Sequence, residues 1–152
     1  MANSNIKQST EREERRLNPI IRFVSKIDGW IMRHTKLRLL ARSAPALLLT
    51  TIGRKSGQPR TTPVLYLRDG TDIVVVASKA GLPNHPLWYL NLEANPNVEV
   101  EVDGRKMAML ARRATEDEKQ RLWPRLVERY PDFASYQART DRDIPVVFLS
   151  PK

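Results

Sequence analysis

The stretch Leu47-Leu-Leu-Thr-Thr-Ile-Gly-Arg-Lys-Ser-Gly-Gln-Pro-Arg-Thr-Thr-Pro-Val-Leu-Tyr-Leu67 constrains the fold most. An apolar, β-branched run from Leu47 to Ile52 stops at Gly53. A second run, Val64 to Leu67, resumes beyond a basic segment. The pattern predicts two buried strands joined by a loop punctuated with Gly and Pro. That loop, Arg54 to Arg60, holds three cations and no acid. It suits either a solvated hairpin loop or an anion cradle. For the cradle, Gly53 and Gly57 permit positive φ, so that successive backbone N–H groups can face one concavity. Arg54 and Arg60 offer bidentate forks, Lys55 a point charge and Ser56 a hydroxyl donor. The P-loop order Gly-x-x-x-x-Gly-Lys-Ser/Thr is absent, and the segment after the loop reads as a strand rather than a helix.

Further strands come in short hairpins. The second strand, Thr62 to Arg68, ends at Asp69-Gly70, a strong hairpin signal, and the third, Asp72 to Ala77, begins at once. The unbroken apolar run Ile73 to Ala77 predicts burial on both faces. A loop with Gly81, Pro83 and Pro86 leads to a short helix, Leu87 to Ala94, ended by Asn95-Pro96-Asn97. Val98 to Val102 alternates strictly, so one face is wet. Asp103-Gly104 then turns the chain into a strand from Lys106 to Arg113. Thr115-Glu-Asp-Glu118 is a capping box opening a helix with Pro124 inside it; Pro131 ends that helix. Phe133 and Tyr136 share a further helical turn, and Ile144 to Leu149 is the last strand. Six strands in hairpins with helices between them predict an α+β barrel.

A chain of 152 residues, 41% hydrophobic, suits one domain that buries about two-thirds of its unfolded surface. With no cysteine and only two histidines, no metal ligand set is assigned. No apolar run approaches a membrane span, and the N-terminus is not a signal peptide, so a cytoplasmic location is expected. The net charge of +9 calls for an anionic partner. Residues 1–44 hold ten Lys and Arg against four acids, and Arg54, Lys55 and Arg60 add three more cations. Residues 1–16 read as a flexible basic arm. Residues 17–44 contain an amphipathic helix: Ile20, Phe23, Val24, Ile27 and Ile31 recur at helical spacing opposite Arg22, Lys26 and Arg33. That helix can dock on the barrel or on a partner subunit. It can also lie on an anionic membrane surface with Trp30 at the interface, which would make the protein peripheral on the inner face. Residues 45–152 form the barrel domain.

From Ala46 onward the order of motifs resembles the deazaflavin-dependent nitroreductase and quinone reductase family. The motifs are Leu-Leu-Thr-Thr-x-Gly-Arg-Lys-Ser-Gly-x-Pro-Arg, Ala-Ser-Lys-x-Gly, Pro-x-Trp-Tyr-x-Asn-Leu-x-Ala-Asn-Pro-x-Val and Tyr-Pro-x-aromatic-x-x-Tyr. The resemblance spans residues 46–150. It implies a split β-barrel, related to the flavin-mononucleotide (FMN) oxidoreductases, that binds the 5-deazaflavin coenzyme F420. A hydride then passes from the reduced cofactor to a quinone, a nitroaromatic or another electron-poor acceptor.

The resemblance also implies a site. Arg54, Lys55, Ser56 and Arg60 would hold the phosphodiester and glutamate tail. Thr61, Thr62, Pro63, Val64 and Leu65 would line the cofactor. Val76, Ala77, Ser78 and Lys79 would contact the ring and its linker, and Leu87, Trp88, Tyr89, Leu90 and Asn91 would wall the other side. Asn91 stands out because a buried amide needs a partner, which a heterocycle edge can supply. An acceptor that gains a hydride becomes anionic at oxygen, so a nearby donor helps, and Ser78, Tyr130 and Tyr136 are the candidates in that order. Tyr130, Phe133 and Tyr136, with Leu65, would enclose the acceptor. At Leu65 and Phe133 the hydroxyl of a tyrosine is missing, and acceptance of bulky nitroimidazole-type compounds does not carry over.

Two other functions compete. The same barrel could use FMN, held by the same basic loop, as an oxidoreductase or a flavin-binding protein. The charge alone would fit a module for nucleic acids or acidic surfaces. That reading ranks last, because no nucleic-acid motif is present and the aromatics fall in apolar runs rather than among the cations. A homodimer is a further expectation, since split barrels often pair.

Overall fold

The computed structural model describes residues 45–152; the basic arm and amphipathic helix expected at 1–16 and 17–44 lie outside the described residues. Six antiparallel strands close a barrel: β1 (Ala46–Ile52), β2 (Pro59–Asp69), β3 (Asp72–Val76), β4 (Asn97–Val102), β5 (Arg105–Arg113) and β6 (Val146–Pro151). Their order around the barrel is β1-β2-β3-β6-β5-β4. Three helices are inserted: α1 (Leu87–Ala94) between β3 and β4, and α2 (Glu116–Arg129) and α3 (Asp132–Ala138) between β5 and β6. The expected α+β barrel with inserted helices is the fold found.

Strand alternation builds two cores from one sheet. Leu47, Leu49, Ile73, Val75, Val100, Met109, Val147 and Leu149 point into the barrel and pack with Trp88, Tyr89 and Leu92 of α1. Val74, Val76, Val146 and Phe148 point outward and are covered by Leu122, Leu126, Tyr130 and Phe133 of the α2–α3 segment. β3 is therefore buried on both faces, as its unbroken apolar run predicts. The hairpin at Asp103-Gly104 takes positive φ at both residues, 50° and 78°. That is the primed-turn geometry an Asp-Gly pair supplies. The capping box at Thr115 forms with both of its reciprocal hydrogen bonds, and α2 runs through Pro124.

Two strands start more than one residue away from expectation. β2 starts at Pro59 rather than Thr62, because the ladder with β1 continues through Thr51↔Arg60 and Ile52↔Pro59. Arg60 therefore belongs to a strand, not to the loop. β6 starts at Val146 rather than Ile144: Pro145 has no N–H to give to a ladder, and the N–H of Ile144 donates to Gln137 Oε1 at 3.0 Å.

The split lies along β2. From Tyr66 to Asp69 this strand pairs with β3, but its pairings from Pro59 to Leu65 are with β1 alone. The N–H of Tyr66 donates toward β1, to Pro45 O at 3.2 Å. By alternation, Pro59 and Pro63 then aim their missing N–H groups at the unpaired edge, where a proline costs no ladder bond.

Candidate functional site

A cleft of about 280 Å³ opens where β2 and β3 stop pairing. Pro63, Val64 and Leu65 of β2 form one wall, and Val76 with the turn Ser78–Ala80 forms the other. Pro86 and Trp88, at the start of α1, and Phe133 and Tyr136 of α3 complete the lining. The walls are mostly apolar and aromatic, and among the described residues Lys79 is the one charged residue in the lining. Polar character comes from the hydroxyls of Ser78 and Tyr136.

The turn is tightly held. Ser78 is helical (φ −73°, ψ −39°), and Lys79 and Ala80 then enter the left-handed region with φ of 44° and 54°. Two consecutive non-glycine residues there are uncommon and persist only when the surroundings enforce them. Gly81 (φ 75°) packs directly on α3, where a Cβ would sit 2.6 Å from the carbonyl oxygen of Tyr136. Phe133 lies between Tyr130, Tyr136 and Trp123, with ring centroids 5.5, 6.3 and 6.4 Å away.

Of the residues expected at a site, the cleft brings together Pro63, Val64, Leu65, Val76, Ser78, Lys79, Trp88, Phe133 and Tyr136. Others lie elsewhere. Ala77 faces the barrel interior and is fully buried. Tyr89 also packs in the interior; burial foremost, then Glu93, pushes its phenol up to about 12. Leu90 packs against the same core, and Leu87 is 69% exposed outside the cleft lining. Thr61 meets Thr50 by a hydroxyl–hydroxyl contact of 2.8 Å, and Thr62 is half-buried beside it. Tyr130, expected to donate a proton and roof the acceptor, is not among the residues that line the cleft. Its hydroxyl, 3.1 Å from both the Pro45 and Tyr66 carbonyls, is turned to backbone.

The basic loop also departs from expectation. Four of its N–H groups, those of Gly53, Arg54, Gly57 and Gln58, are taken by partners within the protein. Gly53 donates to Gln58 O at 2.8 Å, Gly57 to Gly53 O at 2.8 Å, and Gln58 to Ser56 Oγ at 3.3 Å. Arg54 N–H donates to Asn91 Oδ1 at 3.1 Å. Gly57 uses positive φ (67°), whereas at Gly53 a Cβ would lie 2.6 Å from Ser56 Oγ and 3.3 Å from the Gln58 carbonyl oxygen. The side chains of Arg54, Lys55 and Arg60 remain exposed. Asn91 is satisfied by the chain itself, since its Nδ2 also donates to the buried Thr51 at 3.1 Å. It anchors the loop to α1 from outside the cleft lining.

One group had no signal in the sequence. Arg142, in the segment between α3 and β6, reaches back to the cleft turn and to His85. Only the long-range fold brings residues 142 and 78 together, so no local spacing could have pointed to it. Ala80 and Pro86 also line the cleft without having been expected there, although Pro86 opens the Pro-x-Trp-Tyr motif and Ala80 lies within Ala-Ser-Lys-x-Gly.

Comparison with known proteins agrees with this architecture. The sequence model of the F420H(2)-dependent quinone reductase family matches residues 25–151. The F420H(2)-dependent quinone reductase Rv1261c of Mycobacterium tuberculosis is 37% identical, over 82% of this chain and 97% of its own length. A solved F420-H2 dependent reductase (FDR-A) is 40% identical with a TM-score of 0.64, covering 70% of this chain and 94% of that one. A structure described as a domain-swapped dimer is 36% identical with a TM-score of 0.65, covering 80% and 98%. The chain belongs to the F420H(2)-dependent quinone reductase family, a family of oxidoreductases.

Proposed function

We propose that this chain reduces a quinone with reduced coenzyme F420, and that the cleft at the β2–β3 split is where the two meet. The observation that carries the reading is the convergence of three separate motif segments on one apolar cleft: Pro63–Leu65, Ser78–Lys79 and Trp88. The residues fit the group. The apolar walls and Trp88 suit the faces of a planar fused ring, and Lys79 suits an anion at the rim. The exposed Arg54, Lys55 and Arg60 suit a phosphodiester and a polyanionic tail lying outside the cleft.

When bound, reduced F420 supplies a hydride, two electrons at once, from its deazaflavin ring. The chain's own work is to bind and orient. Val64, Leu65, Val76 and Trp88 would hold donor and acceptor at the contact distance of about 3–3.5 Å. Phe133 and Tyr136 would exclude water from the acceptor side. Ser78, and after it Tyr136, would donate a hydrogen bond where negative charge develops on the acceptor oxygen. FMN is not favoured, because the relatives 37–43% identical to this chain whose names state a cofactor state F420.

Pairing into a homodimer belongs to the same proposal, supported by a neighbour described as a domain-swapped dimer. So does contact of residues 17–44 with anionic membrane, which rests on sequence pattern alone. Among the described residues no helix is long and apolar enough to cross a membrane. Pelleting with anionic vesicles tests the contact, and absence of binding removes it.

The function is tested by monitoring oxidation of reduced F420 with a soluble quinone. Quinone-dependent oxidation that FMNH2 or NADPH does not replace supports the proposal. No oxidation with quinones or nitroaromatics contradicts it.

A further inference from the structure

Arg142 is the best-connected side chain near the cleft, yet it does not line it. Its Nη2 donates to Ser78 O at 2.7 Å, both Nη atoms reach Ala77 O at 3.2 Å, and Nε donates to Leu82 O at 2.9 Å. Nη1 lies 3.1 Å from Nδ1 of His85. These partners lie on both sides of the left-handed pair Lys79–Ala80, so one rigid fork spans the whole turn. The arginine is itself held at both sides along the chain: its N–H donates to Thr140 Oγ1 at 3.3 Å, and its carbonyl accepts from Gln137 Nε2 at 2.9 Å. Gln137 belongs to α3, which also carries Phe133 and Tyr136. The fork therefore ties the two sides of the cleft to each other.

From this geometry we infer that Arg142 is a positioning residue that clamps the Ser78–Leu82 turn and so sets where the Ser78 hydroxyl and the Lys79 ammonium face the cleft. The functional half of the inference rests on the proposed F420 and quinone site; the clamp itself does not. A left-handed turn at Lys79 and Ala80 costs free energy that local sequence does not return. Arginine suits the task because its planar fork offers five donors in fixed directions, whereas the three donors of a lysine radiate from a single nitrogen and lack that planar spread. Partial burial disfavours the charge of Arg142, but a guanidinium stays protonated at any physiological pH.

The test uses the full chain with Arg142→Met and Arg142→Lys, and Arg125→Met as a control. Arg125 pairs with Asp69 and caps the Arg68 carbonyl on another face. Two readouts are taken at matched distance below each variant's melting temperature. The first is tryptic cleavage after Lys79, read by mass spectrometry, which needs no cofactor. The second is kcat and KM for reduced F420 with a quinone. The clamp predicts that wild type and the control resist cleavage at Lys79. Both Arg142 variants should be cut there, and their kcat/KM should fall at least about tenfold. Equal protection in all four proteins, or unchanged kcat/KM in variants whose turn has opened, overturns it. Should Arg142→Met not fold, Arg142→Lys decides alone. If wild type itself does not oxidise reduced F420, the proposed function of the cleft fails, while the proteolysis still accepts or rejects the clamp.

Discussion

Asn91 Oδ1 accepts the backbone N–H of Arg54 at 3.1 Å, which ties helix α1 to the first cation of the basic loop across 37 residues of sequence. The other end of the amide donates to Thr51, which is fully buried. A buried amide with both ends satisfied fixes the loop's take-off direction. Removing it strands a buried hydroxyl and a backbone donor.

Asn91→Ala should accordingly cost about 1–3 kcal/mol of stability, the usual penalty for stranded buried partners. It should also weaken F420 binding, although Asn91 does not line the cleft. Urea unfolding and a cofactor titration on the same protein check both effects. A stable variant with loosened binding would show that loop position is what matters.

Ser78→Ala should lower kcat at least about tenfold, a conservative floor beneath the roughly hundredfold or more that a preorganised donor contributes. The melting temperature should stay near wild type, since the Ser78 hydroxyl makes no hydrogen bond among the described residues. An unchanged turnover number removes Ser78 from the mechanism and leaves Tyr136.

Gly81→Ala should destabilise by about 2 kcal/mol or more. The residue sits at φ 75°, and the new Cβ would meet the Tyr136 carbonyl oxygen at 2.6 Å. Left-handed backbone alone costs about 1–2 kcal/mol for a residue with a Cβ, and the clash is with backbone that cannot rotate away. Thermal unfolding reads this directly; a cost below about 1 kcal/mol would mean the turn and α3 are not packed as described.

His85 predicts a pH dependence. Its imidazole is held below the ordinary value, by burial first and by Arg142 next; Arg113 acts the same way, while Glu93 and Asp143 oppose. Between the folded and unfolded values the unfolded chain binds the extra proton. The stability contribution is thus complete above about 6.5 and is lost as pH falls through the unfolded and then the folded value. Protonation would also remove the Nδ1 acceptor and set a second cation against Arg142. Melting temperature should decline from pH 7.5 to 5.5 in wild type and decline less in His85→Asn. Equal slopes would contradict the assignment. Asp69, held at about 2 by Arg121 and Arg125, contributes only in stronger acid.

The hairpins were legible because they are local. Asp103-Gly104 has the residues its positive φ values demand, and Ile73 to Val76 has the apolar run that burial on both faces demands. Motif order also pointed to Pro63, Ser78 and Trp88, which the fold draws to one cleft. What the sequence hid was the use of hydrogen-bonding groups. The glycines of the basic loop suggested a backbone cradle, but Gln58, Gly53, Ser56 and Asn91 take four of its N–H groups. Tyr130 carried the right hydroxyl, but two carbonyls claim it. Arg142 and Ser78 meet only after α2 and α3 have packed on β3 and β6, so no spacing in the chain announces their contact.

The most direct test is a fluorescence titration of wild type and Trp88→Phe with F420 and with FMN in parallel. Trp88 lines the cleft and Trp123 does not, so the variant assigns the signal. The account predicts saturable quenching by F420 and not by FMN, with the larger part of the signal lost in Trp88→Phe. Preference for FMN, or quenching that does not depend on Trp88, would contradict a deazaflavin site at the β2–β3 split.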